Sequence, residues 1–523
     1  MKIKLYTICT ITLFVLLLPV ILISQPTIEW QKSFGGSGDD NCSSVWQTKD
    51  GEYIIGGWTN SIDGDVTGNH GQFDYWIVKL NSTGTIQWQK SIGGTYGEYA
   101  FSLEQTSDDE YIISGNTRSD DGDISGNHSG NTMTDAFIVK LDQSGSMQWK
   151  KCFGGSKLDN GNSIRQTKDG GFVMAGSTTS TDDDITSNHG AEDYWIVKLS
   201  SAGNIEWQKC YGGTGSEAAY SIEQTDDGGY IVCGNSNSSD GDVTANHGGN
   251  DYWVVKLKSD GSIDWQKSYG GSANDNARSI SITSGGYVIA GYSSSNDGDV
   301  SGNHGKIDYW VIKINSTGQL QWQKTLGGSG NDIASSLQET ADKGFVISGQ
   351  SMSSDGNITG HQGSADTTDC WIVKLNQSGD MQWQKSIGGT SYDMGNSIRQ
   401  TMDGGFIAAM QSSSVNGDVT GNKGKMDYWV VKLSPVSDVK EEANMQTVSI
   451  TPGIAESEIT VNLTSSSGSN QIISIYNLNG ELQKSIYNSE KNLNISIADL
   501  PAGVYFVKVQ DGSNISMGEF IKK

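Results

Sequence analysis

Hydrophobic and polar positions follow one pattern that recurs along most of the chain. In one copy, "SIRQT" (163–167) alternates, whereas "FVMAG" (172–176) and "YWIVKL" (194–199) are apolar on both faces. A fourth segment, "NIEWQKCYGG" (204–213), alternates apolar and polar residues. Side chains of a strand alternate between two faces, so each copy predicts four strands separated by turns rich in Gly and Asp. No segment shows a convincing helical period, and the sequence therefore predicts an all-β fold.

The copies recur at intervals of 57 to 61 residues, which is typical of a repeat architecture. Seven repeats of four strands predict a seven-bladed β-propeller, with the apolar strands inside each blade and the half-polar fourth strand at its outer edge. The fourth segments carry Trp30, Trp88, Trp149, Trp207, Trp265, Trp322 and Trp383, and the third segments end at Leu80, Leu141, Leu199, Leu257, Ile314, Leu375 and Leu433.

The repeat is cut so that the chain opens on a fourth segment and closes on a third. A ring closed in this way leaves one strand edge unpaired unless the other terminus supplies the missing strand. We therefore predict that "TIEWQK" (27–32) is the outer strand of the blade whose third segment ends at Leu433. The predicted propeller spans residues 27–434.

The pattern changes after the last repeat. A short polar linker is predicted over residues 435–446, and Trp is absent from residues 447–523. Segments such as "EITVNL" and "GVYFVKVQ" alternate, which predicts a small Ig-like β-sandwich.

The first 24 residues have the features of an export signal. "MKIK" is positively charged, a long apolar run follows, and a small residue precedes Gln25. The apolar run is nearly long enough to be an uncleaved membrane anchor instead. Pro19 and the immediate start of the repeats favour cleavage, so we expect residues 1–24 to be a signal peptide and the mature protein to have no stable membrane span.

The net charge excludes some classes of binding partner, and the number of cysteines argues against a disulfide framework. The formal net charge of −25 argues against nucleic acid and anionic membranes, because phosphate binding needs clustered Lys and Arg. After cleavage five cysteines remain, an odd and scattered set that makes a poor disulfide framework. We expect them to be small buried apolar residues: Cys42, Cys152, Cys210, Cys233 and Cys370.

Residues 27–434 resemble a known class of repeats. The combination of "W-x-K-x-x-G-G", "D-G-G-Y-I" and "D-Y-W-I-V-K-L" is similar to the β-propeller repeats of exported bacterial proteins. The resemblance implies the fold and leaves the function open, since propellers bind proteins, glycans and metals and some are enzymes.

Residues 447–523 resemble the C-terminal sorting domain of the type IX secretion system of Bacteroidota. The resemblance rests on "ISIYNLNGELQKSI", "NISIADLPAGVYFVKVQDG" and the terminal "GEFIKK". Family members often begin with Tyr-Pro-Asn-Pro, whereas this chain has "SITPG" (449–453), which leaves the start of the domain open. The resemblance implies the type IX secretion machinery as a partner and export to the cell surface or the medium. An ordinary Ig-like module is the alternative. The positions that carry the resemblance are Tyr476, Asn477, Gly480, Leu500, Gly503, Val504, Tyr505, Lys522 and Lys523.

Acidic and histidine residues recur in step with the repeat. Because equivalent residues of seven blades have near-identical environments, we expect the acids to fix turns rather than to catalyse. We likewise expect each His to be hydrogen-bonded within its own loop, because a zinc site needs about four converging ligands. The recurring residues are Asp40, Glu98, Asp159, Glu217, Asp275, Asp332 and Asp393; Asp74, Asp135, Asp193, Asp251, Asp308, Asp369 and Asp427; and His70, His128, His189, His247, His304 and His361.

No cofactor or metal is predicted, with one open alternative. The Asp-Gly-Asp pairs could hold calcium, which takes six to eight oxygen ligands, although they lack the spacing of a dedicated calcium loop. These pairs are Asp63 and Asp65, Asp240 and Asp242, and Asp297 and Asp299.

Ligand binding is sought where the repeats differ. The position directly after the second strand segment holds aromatic or amide side chains in most repeats. Aromatic rings can stack on the faces of sugars, and amides can form hydrogen bonds with sugar hydroxyls. A variable solvent position is the alternative, and a second varied position shows mixed charges. Loop insertions at 129–135 and 361–369 could add to a binding face. The candidate ligand-binding residues are Trp58, Asn116, Asn235, Tyr292, Gln350 and Gln411, with Ser177 at the same position of the third repeat.

Two functions follow from these residues. We expect a secreted or cell-surface, non-catalytic protein that binds a glycan or a protein through one propeller face. The alternative is a hydrolase or lyase that acts on polysaccharide at the channel mouth. The sequence contains no Ser-His-Asp order, phosphate-binding loop or zinc helix motif, so we predict that the protein is not an enzyme.

Overall fold

A computed structural model describes residues 25–436, 446–462, 471–477, 482–488, 492–511 and 514–523. The chain divides into two compact units, residues 24–437 and residues 438–523. The predicted signal peptide and most of the predicted linker lie outside the described residues. All regular elements of the described residues are β-strands.

The larger unit contains 28 strands. The first twelve are β1 (Ile28–Phe34), β2 (Asp40–Gln47), β3 (Tyr53–Thr59), β4 (Asp74–Leu80), β5 (Ile86–Ile92), β6 (Glu98–Gln105), β7 (Tyr111–Thr117), β8 (Asp135–Leu141), β9 (Met147–Phe153), β10 (Asp159–Gln166), β11 (Phe172–Thr178) and β12 (Asp193–Leu199). The others are β13 (Ile205–Tyr211), β14 (Glu217–Gln224), β15 (Tyr230–Ser236), β16 (Asp251–Leu257), β17 (Ile263–Tyr269), β18 (Asp275–Thr283), β19 (Gly286–Ser293), β20 (Asp308–Asn315), β21 (Leu320–Leu326), β22 (Asp332–Glu339), β23 (Phe345–Ser351), β24 (Asp369–Leu375), β25 (Met381–Ile387), β26 (Asp393–Gln400), β27 (Phe406–Ser412) and β28 (Asp427–Leu433).

These strands form seven four-stranded antiparallel sheets. Six follow the order of the chain, from β2-β3-β4-β5 to β22-β23-β24-β25, and the seventh has the order β26-β27-β28-β1. The two middle strands of each sheet are buried, and the fourth strand is a partly exposed edge, as the apolar pattern predicted. The innermost strand begins earlier than the alternating segment indicated: β10 starts at Asp159, because a bulge between Gly161 and Ser163 interrupts the alternation.

Each sheet packs on the next to form a closed, propeller-like ring. The core between the first two sheets joins Ile54 and Ile77 to Leu103 and Phe137, and the core between the seventh and the first joins Val430 to Trp76. Innermost strands of successive sheets contact one another all round the ring, including β26 with β2. The innermost strands therefore surround a central axis.

The N-terminal strand completes the seventh sheet, as the cut in the repeat predicted. β1 pairs antiparallel with β28, from Phe34 opposite Tyr428 to Ile28 opposite Leu433. The Trp30 ring then reaches the first sheet, where its centroid lies 5.8 Å from that of Tyr53. The terminal strand thus links both ends of the ring.

The smaller unit contains two sheets. Its strands are β29 (Gln446–Thr447), β30 (Ser449–Thr451), β31 (Ile454–Ala455), β32 (Glu458–Asn462), β33 (Gln471–Asn477), β34 (Leu482–Asn488), β35 (Asn492–Ser496), β36 (Gly503–Asp511) and β37 (Asn514–Lys522). One sheet has the order β29-β37-β36-β33-β34, with β31 also paired to β37, and the other has the order β30-β32-β35. Ile459 and Ile495 from the smaller sheet share one core with Ile473, Val507 and Phe520 from the larger.

Candidate functional site

The predicted ligand-binding residues lie at one end of the ring axis. Trp58 is the sixth residue of β3 and is paired with Asn41, the second residue of the innermost strand. The six other members occupy the same register in their sheets. The loops that carry the histidines follow directly. We call this end, defined by residues 41, 58 and their equivalents, the first mouth.

Aromatic rings gather in one sector of the first mouth. The Trp58 ring packs edge-on against Tyr99 and Phe101 of the second sheet, with centroids 5.6 and 6.0 Å apart. Phe73 adds a further contact with Tyr99 at 5.4 Å. All four side chains remain partly accessible. The sector therefore presents an aromatic surface that spans two sheets.

A second sector combines aromatic rings with a cation. The Arg278 guanidinium lies 4.2 Å from the Tyr220 ring centroid and 5.5 Å from that of Tyr292. It also donates a hydrogen bond of 3.3 Å to the Tyr292 hydroxyl. Such cation–π contacts hold a planar guanidinium against the ring faces.

The amide members differ in exposure. Asn116 and Asn235 are only 8% and 9% exposed, and Asn116 Nδ2 donates to Asn160 of the next sheet at 2.7 Å. Gln350 and Gln411 are partly exposed, and Asn396 Nδ2 donates to Gln411 Oε1 at 3.2 Å. Buried polar groups normally carry hydrogen-bond partners. Ligand contact at these positions stays a prediction, and the exposed part of the first mouth is centred on the two aromatic sectors.

A second set of side chains converges where the innermost strands end. The seventh residue of each innermost strand belongs to this set, which we call the second mouth. The mixed charges of this position had no evident pattern in the sequence, because only the ring brings equivalent positions together. The members are Trp46, Glu104, Arg165, Glu223, Ser281, Gln338 and Arg399.

Charges at the second mouth are unequally paired. Arg165 Nε donates to Glu223 Oε1 at 2.9 Å, and its Nη1 donates to the Ile164 carbonyl at the same distance. Burial raises the pKa of Glu104 to about 7, and the positive charge of Arg165 opposes that rise. Burial and the positive charge of Arg165 lower the pKa of Arg399 to about 10. The negative charges of Glu223 and Glu104 oppose this shift.

The recurring acids bind backbone and loop groups within the ring. The Asp40 carboxylate accepts from the Gly36 backbone N–H and the Ser61 hydroxyl, both at 2.8 Å. Asp74 accepts from the backbone N–H and Nδ1 of His70, at 2.9 and 2.6 Å. These contacts confirm the predicted role of the acids in fixing turns and the predicted hydrogen bond of His within its loop.

The sixth and seventh repeats depart from this arrangement. Gln362 takes the backbone position of His, donating to Asp369 at 2.8 Å, while His361 Nε2 contacts the Ser364 carbonyl. Lys423 replaces His in the seventh repeat and pairs with Asp65 of the first sheet. This ion pair adds to the closure of the ring.

The Asp-Gly-Asp carboxylates accept backbone hydrogen bonds. Asp63 Oδ1 accepts from Ser37 N at 2.7 Å, and Asp240 Oδ1 and Asp297 Oδ1 accept from Thr214 N and Ser272 N. Among the described residues, no group of three or more His, Cys, Asp or Glu side chains is arranged to hold a metal ion. Calcium binding by these pairs stays an open alternative to the prediction of no metal.

Cysteines and loop insertions occupy the expected regions. Four of the five repeat-region cysteines are buried, Cys152 is half-buried, and all five are free thiols. The insertion at 129–135 lies between β7 and β8, and the one at 361–369 lies between β23 and β24, on the side of the first mouth. The Arg118 side chain donates to the Asn131 carbonyl at 3.1 Å and so attaches the first insertion to its sheet.

Most of the predicted sorting residues lie in the larger sheet of the smaller unit. Tyr505 is buried, stacks on Phe520 at 5.4 Å and donates to the Pro501 carbonyl at 2.8 Å. Tyr476 and Asn477 lie opposite Phe506 and Tyr505. Gly503 is paired with Lys522 at the end of the chain, next to Lys523. Gly480 lies outside the described residues.

Comparison with known families identifies the smaller unit. Residues 450–523 match the model of the secretion system C-terminal sorting domain. The chain thus carries a type IX sorting domain, which directs export across the outer membrane to the cell surface or the medium. No curated protein matches the chain. Within the described residues no helix is long and apolar enough to cross a membrane.

Solved structures are similar only at low identity. Sqt1 from Chaetomium thermophilum is 10% identical with a TM-score of 0.39, covering 79% of this chain and 100% of its own. PorZ, a surface component of the type IX secretion system of Porphyromonas gingivalis, is 10% identical with a TM-score of 0.25, covering 94% of this chain and 82% of its own. An apocarotenoid oxygenase from Synechocystis is 12% identical with a TM-score of 0.38, covering 79% and 95%. At these identities nothing about activity follows.

Proposed function

Because the chain carries a type IX sorting domain, we propose that it is an exported, non-catalytic binding protein. In this proposal the larger unit is a seven-bladed β-propeller whose first mouth binds a glycan or a surface protein, and the smaller unit is an Ig-like sandwich recognised by the type IX machinery. The signal peptide at residues 1–24 starts the export route. The single observation that carries the binding proposal is the aromatic surface of Trp58, Tyr99, Phe101 and Phe73.

Physical chemistry favours this surface over the repeated acids. Aromatic faces stack on sugar rings and anchor protein side chains, and such residues dominate binding energy in interfaces. The acids are instead engaged in each sheet by backbone N–H groups and hydroxyls. The repeated acids occur in every sheet, whereas each aromatic sector of the first mouth occurs in one part of the ring. A ligand can therefore bind specifically at an aromatic sector.

The test is a binding screen of the mature chain against a glycan array and surface proteins. Replacing Trp58 and Tyr292 with Ala should weaken binding by roughly tenfold or more, since each aromatic contact contributes on the order of 1 kcal/mol. Melting temperature should change little, because both side chains are partly exposed. Trp58→Phe retains a ring and should retain most of the affinity.

A matched control separates binding from folding. Trp88 packs on Tyr111 of the next sheet, so Trp88→Ala should lower stability by about 3 kcal/mol and leave the affinity of the folded fraction unchanged. Unchanged binding in a folded Trp58→Ala/Tyr292→Ala variant contradicts the first mouth as the site. The ligand would then be sought at the insertions 129–135 and 361–369.

One observation favours the alternative of a polysaccharide hydrolase or lyase. At the second mouth Glu104 has a raised pKa, whereas Glu223 pairs with Arg165, so two carboxyl groups occupy unlike environments. Such a difference can separate an acid from a base. Release of reducing ends from polysaccharides by the mature chain, abolished in Glu104→Gln, would support the enzyme. Absence of release from any substrate that the chain binds would support the non-catalytic proposal.

A further inference from the structure

The second mouth contains an arginine that forms no direct ion pair, although the carboxyl groups of Glu104 and Glu223 lie close enough to influence its charge. Arg399 forms no ion pair or side-chain hydrogen bond within the described residues, and its Nε is buried without an acceptor. Arg165, by contrast, is paired with Glu223. Arg399 is half-buried, and a buried donor that lacks an acceptor is costly, so a ligand that supplies the acceptor is favoured there.

A second unpaired donor lies beside it. The Arg399 guanidinium carbon lies 4.8 Å from the Trp46 ring centroid, and Trp46 Nε1 is also buried without an acceptor among the described residues. Gln338 Oε1, at the same position of the neighbouring sheet, accepts from Gln400 N at 2.6 Å. Two N–H donors thus adjoin one another, and neither can accept a hydrogen bond.

We propose that the second mouth binds a carboxylate monoanion, held by Arg399 Nε and Trp46 Nε1. A carboxylate accepts hydrogen bonds through two oxygens and pairs in the plane of a guanidinium, so it satisfies both donors and the charge. Glu104 and Glu223 face the same axis and disfavour the second negative charge of a phosphate dianion. Solvent reaches the site, since Trp46 and Arg399 are both partly exposed.

The inference goes beyond the proposed function, because the two sites lie at opposite ends of the innermost strands. Trp46 lies five positions after Asn41, which corresponds to roughly 17 Å of strand. The side chains that carry the two proposals do not overlap. Failure of glycan or protein binding at the first mouth leaves this inference standing, and the reverse also holds.

The experiment uses the mature chain and ligand-observed saturation-transfer NMR at pH 6. Acetate and glucuronate should bind, and glucuronate should displace acetate. Glucose, which has no carboxylate, should not displace acetate even if it binds at the first mouth. Acetate alone tests for a free monocarboxylate, and tighter binding of glucuronate would identify a sugar acid as the source of the carboxylate. Inorganic phosphate, measured with acetate at pH 8 where phosphate is mainly the dianion, should bind more weakly than acetate.

Substitutions locate the binding. Arg399→Gln should weaken carboxylate binding by about tenfold or more, since it removes a charge-assisted pair. Trp46→Phe keeps the ring and removes only its donor, so it should cause a smaller loss. Lys425→Gln removes an exposed positive charge that pairs with Asp39, so it is the charge-matched control and should bind normally.

Two results overturn the inference. One is carboxylate binding that neither Arg399→Gln nor Trp46→Phe weakens. The other is the absence of acetate binding to the unaltered chain, or displacement of bound acetate by glucose. If Arg399→Gln fails to fold, carboxylate binding by Trp46→Phe alone tests the inference.

Discussion

The Tyr428 hydroxyl donates a 2.8 Å hydrogen bond to the carbonyl oxygen of Trp76, 352 residues earlier in the chain. The same bond joins Tyr194 to Trp253 at 2.8 Å between neighbouring sheets inside the ring. The seventh and first sheets are therefore joined by the contact that joins consecutive repeats. Ring closure uses the ordinary interface between repeats and adds the terminal strand to it.

This equivalence predicts equal costs for two substitutions. Tyr428→Phe and Tyr194→Phe should each lower the free energy of unfolding by about 1 to 2 kcal/mol, because each removes a buried hydrogen bond and leaves a carbonyl with one fewer donor. Chemical denaturation of the mature chain measures both. A cost for Tyr428→Phe near zero, with Tyr194→Phe costly, would mean that the ring is open in solution.

The terminal strand makes a separate prediction. Deleting residues 27–34 exposes the edge of β28 and removes Glu29, whose carboxylate lies 3.2 Å from Lys432 Nζ. An unpaired edge invites aggregation, so the melting temperature should fall and light scattering should rise. Deleting residues 435–523 is the control and should leave ring stability nearly unchanged. Equal melting temperatures for the two deletions would refute the role of β1 as a closing strand.

The raised pKa of Glu104 predicts how stability depends on pH. The folded protein binds this proton more tightly than the unfolded chain, whose carboxyl has its ordinary pKa of 4.5. The resulting stabilisation is complete below about pH 4.5 and is lost as pH rises through about 7. Glu104→Gln has no such proton, so its stability should fall less between pH 5 and pH 8 than that of the unaltered chain.

Denaturation at the two pH values measures this difference. Other buried carboxyls, including Asp135 with a pKa raised to about 6, change the free energy of unfolding equally in Glu104→Gln and in the unaltered chain. Their contributions therefore cancel when the two proteins are compared. Glu458→Gln, an exposed position of the smaller unit, is the control and should follow the unaltered chain. A constant difference between Glu104→Gln and the unaltered chain at both pH values would contradict the raised pKa.

The sorting domain predicts transferable export. Residues 435–523 fused to an unrelated exported protein should reach the surface or the medium of a host with type IX secretion. Tyr505→Ala should reduce export, because it removes the stacking on Phe520 and the hydrogen bond to Pro501 at the start of β36. Cell fractionation and immunoblotting measure both. Periplasmic retention of the fusion, with a known sorting domain exported in parallel, would count against recognition of these residues.

Local pattern was sufficient for much of the fold. Continuous apolar segments such as "YWIVKL" predicted buried middle strands, and the half-polar segment around Trp207 predicted an outer edge. The cut in the repeat predicted the pairing of β1 with β28. The start of the innermost strand was missed, since the bulge beside Gly161 breaks the alternation on which strand prediction depends.

The sequence by itself determined the four-strand period, the closing strand and the sorting domain, because each follows from neighbouring residues or from a count of repeats. The charged second mouth was decided only by tertiary structure. Arg165 and Glu223, which form an ion pair, are 58 positions apart in the chain. Arg399 of the seventh sheet contacts the ring of Trp46 in the first sheet. Alternation along a strand shows that these residues share a face with others, but only closure of the ring turns that face toward the axis, where equivalent positions meet.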